Sequence, residues 1–372
     1  EFLSFSENTG PVSSLISNDG AKVSSLEVTN GVLSSVSKKS SIEVDKVFTE
    51  ASYKKEWLPM GQEALVDWEL PKKPVFSNNN EQSSDDEATL AKSEDFDVTT
   101  SFFQDEKDKK FYFRIQFIPK EEVVFKRIRQ NMFFLIDRSN SISKEKYAMF
   151  KEGVKQSLDY LQPGDRFNIL VFDKEISSFS IEPSDWNLDN VKKAGQFLDE
   201  QEHGGLFAST ELYASLGKII PKDVAKNEVN TAILLSDGDT FLSLDQQRVT
   251  IKNWTSFNDR KVSLYAAAAG KGNNLALLDL LTSFNKGRLA YVDNVEDVSR
   301  LILSVVGAIQ NPIGKDIQAS IVLEDNESQI NLFPQKNRLP DLYQHVPYVL
   351  YARMDNLEDF HVFLQGKYYD TW

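Results

Sequence analysis

Hydrophobic residues recur with two different periods along the chain, and the change of period divides it into three regions. In the first region, apolar and polar residues alternate over 21–28, 41–48 and 111–118, which is typical of antiparallel strands with one buried face. The polar stretch 77–87 has few residues to bury and predicts a solvated loop. Residues 1–127 are therefore predicted to form a β-rich N-terminal flank.

The middle of the chain alternates continuous apolar runs with amphipathic helical patterns. The run 131–136 predicts a central parallel strand, because an unbroken apolar run leaves no face for water. Apolar residues three and four positions apart then predict a helix over 147–161. Further strands are predicted at 167–172, 232–235, 262–266 and 289–292, and further helices near 188–199, 211–219, 244–256, 275–284 and 295–310. This alternation predicts an α/β fold over 128–311, with a doubly wound, mostly parallel sheet.

Strand patterns return in the C-terminal segment, 312–372. They cover 317–323, 348–352 and 360–364. A segment this short cannot bury an adequate core by itself. We therefore expect it to pack on the N-terminal flank, so that the α/β domain is inserted into one β-rich flanking unit.

The composition limits the classes of function. The chain has 372 residues, and its 42 Lys and Arg against 56 Asp and Glu give a net charge of −14. This acidic balance disfavours nucleic acid and anionic lipid surfaces, so neither is an expected partner. No stretch approaches the ~20 apolar residues that cross a bilayer, so direct membrane insertion is not expected. The absence of cysteine excludes disulfides and thiolate metal ligands, and the acidic stretch 85–97 is interpreted as solvated charge.

Oxygen-bearing side chains follow the first and third predicted parallel strands and a Gly-Gly turn between them. They are the carboxylates of Asp137 and Asp237 and the hydroxyls of Ser139, Ser141 and Thr210. Ligands of open α/β sheets bind at the carboxyl ends of the strands, so we expect these groups to lie together. Carboxylates and hydroxyls without histidine or thiolate suit a hard divalent cation, Mg2+ above all.

This combination resembles the von Willebrand factor A domain with its metal-ion-dependent adhesion site, a motif of the form Asp-x-Ser-x-Ser with a distal Thr and a distal Asp. The resemblance implies that Ser139 and Ser141 ligate the metal directly. It also implies that Asp137, Thr210 and Asp237 act directly or through water molecules. The expected ion is Mg2+, with Mn2+ or Ca2+ as alternatives.

Two residues depart from the family pattern. The family places its Thr directly after the Gly-Gly turn, whereas Leu206-Phe207-Ala208-Ser209 intervenes here, and Ser209 is the nearest substitute for Thr210. Arg138 stands where the family often has a small or apolar residue. We expect its guanidinium to donate a charge-assisted hydrogen bond to a carboxylate of the partner.

The flanks carry a second resemblance. The segment 331–343 and the strand that follows it, together with the strand 111–118, are similar to the surroundings of the A domain in inter-alpha-trypsin-inhibitor heavy chains and their bacterial relatives. The resemblance implies a non-catalytic adhesion or protein-binding module, in which an Asp or Glu of a protein partner completes the coordination of the metal. It also favours an extracytoplasmic, secreted or cell-surface location. The chain starts at Glu1 rather than Met, which leaves room for a preceding signal or anchor segment.

Three alternatives stay open at this point. A Mg2+-dependent phosphohydrolase would use Asp137 as nucleophile, but that reaction normally needs a second carboxylate two residues later as general acid, where Ser139 stands. An A domain can also be a structural scaffold without a metal. Each motif taken alone is also explained by helix capping, for which Ser141 and Ser143 are suitable. The sequence does not identify the partner.

Overall fold

A computed structural model of the chain describes eight stretches of residues. They are 21–29, 32–37, 88–204, 212–240, 242–323, 330–335, 338–357 and 359–369. The chain divides into two compact units, one of which contains residues 127–312 and the other the described residues on both sides of it. Among the described residues, no helix is long and apolar enough to cross a membrane.

The described elements are numbered in chain order. Before the middle unit come β1 (Ala21–Thr29), β2 (Val32–Ser37), β3 (Phe96–Gln104) and β4 (Phe111–Pro119). The strands of the middle unit are β5 (Arg129–Asp137), β6 (Arg166–Phe172), β7 (Ile176–Ser178), β8 (Ser184–Asp185), β9 (Glu228–Leu235), β10 (Ser263–Ala269) and β11 (Leu289–Val292). Its helices are α1 (Lys144–Ser157), α2 (Leu188–Glu200), α3 (Leu212–Lys218), α4 (Leu244–Asn258), α5 (Leu275–Ser283) and α6 (Val298–Ala308). After it come β12 (Pro312–Leu323), β13 (Ile330–Phe333), β14 (Leu342–Tyr343), β15 (Tyr348–Met354) and β16 (Phe360–Lys367).

The described strands of the middle unit form one sheet in the order β11-β10-β9-β5-β6-β7, with β8 also paired to β6. The pairs from β11 through β6 are parallel, and only β7 and β8 run antiparallel to β6. The predicted doubly wound, mostly parallel α/β fold is thus confirmed. The short strands β7 and β8 were not predicted, because two or three residues give no detectable period.

The central strand β5 is buried on both faces. Every residue of β5 after Arg129 is buried, as the continuous apolar run predicts. The helix α1 begins where the Ser143 side chain accepts a hydrogen bond from Lys146 N, and it buries Phe150 and Val154. Burying each such large apolar side chain contributes about 1.5–3 kcal/mol, so packing stabilises the position of α1 after β5.

The chain order places a crevice at the ends of β5 and β9. From β5 the chain passes through α1 to β6 on one side, whereas β9 lies on the other side of β5 and leads through α4 to β10. Connections that leave in opposite directions open a crevice at the carboxyl ends of the two strands, where α/β proteins bind ligands. Asp137 and Asp237 lie at these two ends.

The flanking unit contains strands from both sides of the middle unit. Its described strands form one sheet in the order β13-β15-β4-β3-β1-β2-β16-β12-β14. Buried side chains of this unit include Phe113, Phe117, Leu350 and Val362. The boundaries 1–127, 128–311 and 312–372 stay a prediction, and the predicted strand 41–48 and loop 77–87 lie outside the described residues.

The acidic stretch 85–97, which was interpreted as solvated charge, ends in regular secondary structure. Ser93–Asp95 form a 3-10 turn, and Phe96 begins the strand β3. Along this strand Phe96 and Val98 are buried and Asp97 is exposed. The acidic residue occupies the solvent face of an alternating strand, so charge alone did not distinguish it from a loop.

Candidate metal centre

The site begins with Asp137, the last residue of β5. This residue is 0% exposed. Its Oδ1 accepts a hydrogen bond from Ser139 N at 2.9 Å. Its Oδ2 accepts a hydrogen bond from Ser236 Oγ at 2.7 Å. Because Ser236 follows β9, this second bond joins the ends of the two strands that border the crevice.

The two serine hydroxyls of the loop after β5, called the first loop, lie side by side. Ser139 Oγ and Ser141 Oγ are 3.1 Å apart. Ser139 is buried, whereas Ser141 is exposed. The oxygen cluster therefore extends from the buried Asp137 carboxylate to the protein surface.

The loop after β9, called the second loop, holds Asp237 in a tight turn. Its Oδ1 accepts from Asp239 N at 2.9 Å, and its carbonyl oxygen accepts from Asn274 N at 2.7 Å. Gly238 has a φ of +69°, and a Cβ there would lie 2.9 Å from Leu278 Cγ. The turn therefore requires glycine after Asp237.

The two carboxylates influence each other electrostatically. Burial raises the pKa of Asp137 to about 6, and the charge of Asp237 acts in the same direction. Hydrogen bonds from Ser139 and Ser236 lower the pKa of Asp137 but do not cancel the effect of burial. Two buried carboxylates that repel each other form a site that favours a cation.

The third part of the predicted site lies outside the described residues. Thr210 and its substitute Ser209 both fall in the segment 205–211. The chain enters this segment at Gly204, whose N donates to Arg138 O at 2.9 Å. This bond holds Gly204, the last described residue before the segment, against the loop after β5.

Arg138 already has a carboxylate partner within the chain. Its Nε donates to Asp173 Oδ2 at 3.1 Å, and its side chain is 16% exposed. The sequence pattern led us to expect that this guanidinium is free for a partner protein. A carboxylate of a ligand would have to share Arg138 with Asp173.

Comparison with known proteins agrees with this architecture. The chain is 22% identical over 214 residues to inter-alpha-trypsin inhibitor heavy chain H1 of Bos taurus, an alignment that covers 56% of this chain and 23% of that protein. It is 24% identical over 195 residues to the uncharacterized protein YfbK of Escherichia coli, covering 51% of this chain and 33% of that protein. The solved structure of a von Willebrand factor type A protein from Catenulispora acidiphila matches with a TM-score of 0.51 and 13% identity, over 73% of this chain and 65% of that chain.

The chain has a von Willebrand factor A fold. The resemblance to inter-alpha-trypsin inhibitor heavy chains is confirmed as sequence similarity. No protein-family model matches the chain. The matched region spans only about a quarter of the length of the heavy chains, and the fold is what the structural match shows.

The described donors of the A domain fit a hard divalent cation. Asp137, Ser139, Ser141 and Asp237 offer oxygen atoms only, as Mg2+ prefers. In the stretches that the structure describes, no three Asp, Glu or His side chains cluster as metal ligands do. A cation at this site would therefore depend on the serine hydroxyls as well as on the two carboxylates.

Two residues around the site were not recognised from the sequence. Ser236 orients Asp137, as described above. Lys146, on the first turn of α1, is buried, and its Nζ donates to Asn273 Oδ1 at 2.7 Å. Its place beside Tyr147 at the start of an amphipathic helix gave no signal, because lysine at such positions is mostly exposed.

Proposed function

We propose that the A domain is a non-catalytic, metal-dependent protein-binding module. A divalent cation would be held by Asp137, Ser139, Ser141 and Asp237, with Thr210 as a further ligand from the segment outside the described residues. The observation that supports this proposal is the arrangement at the end of β5. A buried carboxylate oriented by two hydrogen bonds lies in the same loop as two hydroxyls that are 3.1 Å apart.

The partner would be a protein that offers an Asp or Glu side chain. When bound, the cation would supply a positive charge to which such a carboxylate coordinates. Ser141 is exposed, which favours access to the site from solvent. Arg138 would assist only by sharing its guanidinium with Asp173.

The preferred ion is Mg2+, with Mn2+ or Ca2+ as alternatives. We favour an extracytoplasmic, secreted or cell-surface setting, and the similarity to inter-alpha-trypsin inhibitor heavy chains is the support for it. A phosphohydrolase has less support, because Ser139 stands where a general acid would be needed and its hydroxyl is too weak an acid. A scaffold without metal is the remaining alternative.

The first prediction is that the full chain binds Mn2+ and Mg2+, and that Asp137→Ala and Asp237→Ala each abolish this binding. Asp239→Ala is the matched control, since Asp239 is exposed and contributes its backbone N to Asp237. Isothermal titration measures the binding, and circular dichroism checks the fold. Unchanged metal affinity in Asp137→Ala would contradict the proposal.

The same samples test the partner class. Peptides selected on the metal-loaded chain should contain an essential Asp or Glu and should dissociate when chelator is added. Selection of peptides whose binding persists in chelator would leave the scaffold alternative as the better explanation.

A further inference from the structure

A buried lysine lies close to the candidate metal centre. Lys146 is 5% exposed. Its Nζ donates to Asn273 Oδ1 at 2.7 Å. Asn273 is itself fixed, because its Nδ2 donates to Ala269 O at 3.1 Å and to Gly270 O at 2.6 Å. The lysine therefore connects the first turn of α1 to the end of β10.

This connection is continuous with the second loop of the site. Asn274, the residue after Asn273, donates its backbone N to Asp237 O at 2.7 Å. Lys146 therefore donates to a loop that is hydrogen-bonded to Asp237. The helix that carries Lys146 follows the loop that starts at Asp137. The residue that positions the ammonium, Asn273, thus precedes the residue whose backbone N holds the loop of Asp237.

The charges in this region are of opposite sign and are shielded from water. Burial lowers the pKa of Lys146, and the charges of Asp237 and Asp137 oppose this effect. Asp137 is 0% and Asp237 4% exposed. A pair of buried carboxylates without a neighbouring cation is costly, since the carboxylates lose hydration and repel each other.

We propose that Lys146 is a built-in counter-ion of the candidate metal centre, which offsets part of the negative charge of Asp137 and Asp237 when no divalent ion is bound and opposes the entry of that ion. The inference rests on the proposed metal site. It gives the A domain a lower metal affinity than its oxygen donors would otherwise produce, so that the site responds to the concentration of free ion.

The metal test uses the full chain and Mn2+ alone. Lys146→Met should tighten Mn2+ binding by about fivefold or more, because even with water-like screening a unit positive charge repels a divalent ion across a few ångströms. Lys146→Gln should act in the same way, whereas Lys146→Arg keeps the charge and should show no tightening. Lys155→Met is the matched control, since Lys155 lies on the same helix and pairs with Asp199. Unchanged or weaker Mn2+ binding in folded Lys146→Met and Lys146→Gln would overturn the inference.

A metal-free test separates this inference from the proposed function. In chelator, amide hydrogen exchange over 137–143 should become about threefold faster or more in Lys146→Met, because the carboxylates then repel without compensation. In an Asp237→Asn background, the same substitution should have almost no effect. An equal acceleration in both backgrounds would mean that Lys146 only fills space, which would refute the counter-ion role. If neither the wild type nor any variant binds Mn2+, the proposed function fails, and this comparison alone decides the role of Lys146.

Discussion

The Ser236 hydroxyl shows how one side chain can organise two loops. Its Oγ donates to Asp137 Oδ2 at 2.7 Å and accepts from Gly238 N at 3.0 Å. A buried carboxylate that loses such a donor is left with an unmet hydrogen-bonding requirement, at a cost of about 1–3 kcal/mol. Ser236 is therefore a positioning residue for the candidate site.

We predict that Ser236→Ala lowers the stability of the middle unit by about 1–3 kcal/mol and weakens Mn2+ binding. Ser283→Ala is the control, because Ser283 Oγ donates only to Leu280 O on its own helix. Thermal unfolding and Mn2+ titration of both variants measure the two effects. Equal behaviour of the two variants would show that the Ser236 bond does not orient Asp137.

At this scale, the sequence indicated the residues of the motif, whose role in metal binding stays a prediction, but not the side chains that hydrogen-bond to them. Asp137 and Asp237 were predictable because each follows an apolar strand that ends at the same edge of the sheet. Ser236 and Lys146 act through partners about 100 residues away in the chain. No local spacing indicates such a partner.

At the scale of elements, the prediction succeeded where the hydrophobic period was long. The helix α1 and the strand β5 were predicted to within a few residues, because apolar spacing extends over their length. The strand β3 was not predicted, and at its start the acidic residues of 85–97 continue into it on the solvent face. A strand is therefore recognised better from apolar residues at alternate positions than from the absence of charge.

The amino ends of β5, β6 and β9 are joined by ionic contacts. Glu228 accepts hydrogen bonds from Arg129, from Arg166 at 2.7 Å and from Asn131 Nδ2 at 3.0 Å. Burial alone would raise the pKa of Glu228, but Asn131, Arg166 and Arg129 outweigh it, and the net effect is a lowered pKa. A carboxylate with a lowered pKa stabilises the folded state above its unfolded pKa, and this contribution is lost as the pH falls through the folded value.

We therefore predict that Glu228→Gln destabilises the middle unit by about 1–3 kcal/mol at pH 7, and that the difference from the wild type shrinks below about pH 4.5, the ordinary pKa of the group. Unfolding curves of both proteins across this range measure it. Asp189→Asn is the control, since Asp189 forms an exposed pair with Lys193 on one helix. A difference that does not depend on pH would show that charge is not what Glu228 contributes.

At the scale of the whole molecule, the two units differ in how far apart along the chain their paired strands lie. The sheet of the middle unit uses strands from one continuous segment, from β5 to β11. The sheet of the flanking unit pairs β4 with β15 and β2 with β16, across the whole middle unit. Because the C-terminal segment is short, the sequence predicted that it packs on the N-terminal flank. The order in which the strands pair depends on contacts that no local pattern encodes.

The last prediction follows from this difference. Residues 127–312 expressed alone should fold, because the ends of this unit meet where Ile128 N donates to Pro312 O at 2.7 Å and Arg127 pairs with the buried Asp165. Residues 313–372 alone should stay unfolded, since β15 and β16 would lack β4 and β2. Circular dichroism and amide-resolved NMR spectra of both fragments measure this, and Arg127→Ala in the first fragment should lower its stability by about 1–3 kcal/mol. An unfolded 127–312 fragment would show that the middle unit depends on the flanking residues, and the boundaries proposed for the A domain would then be wrong.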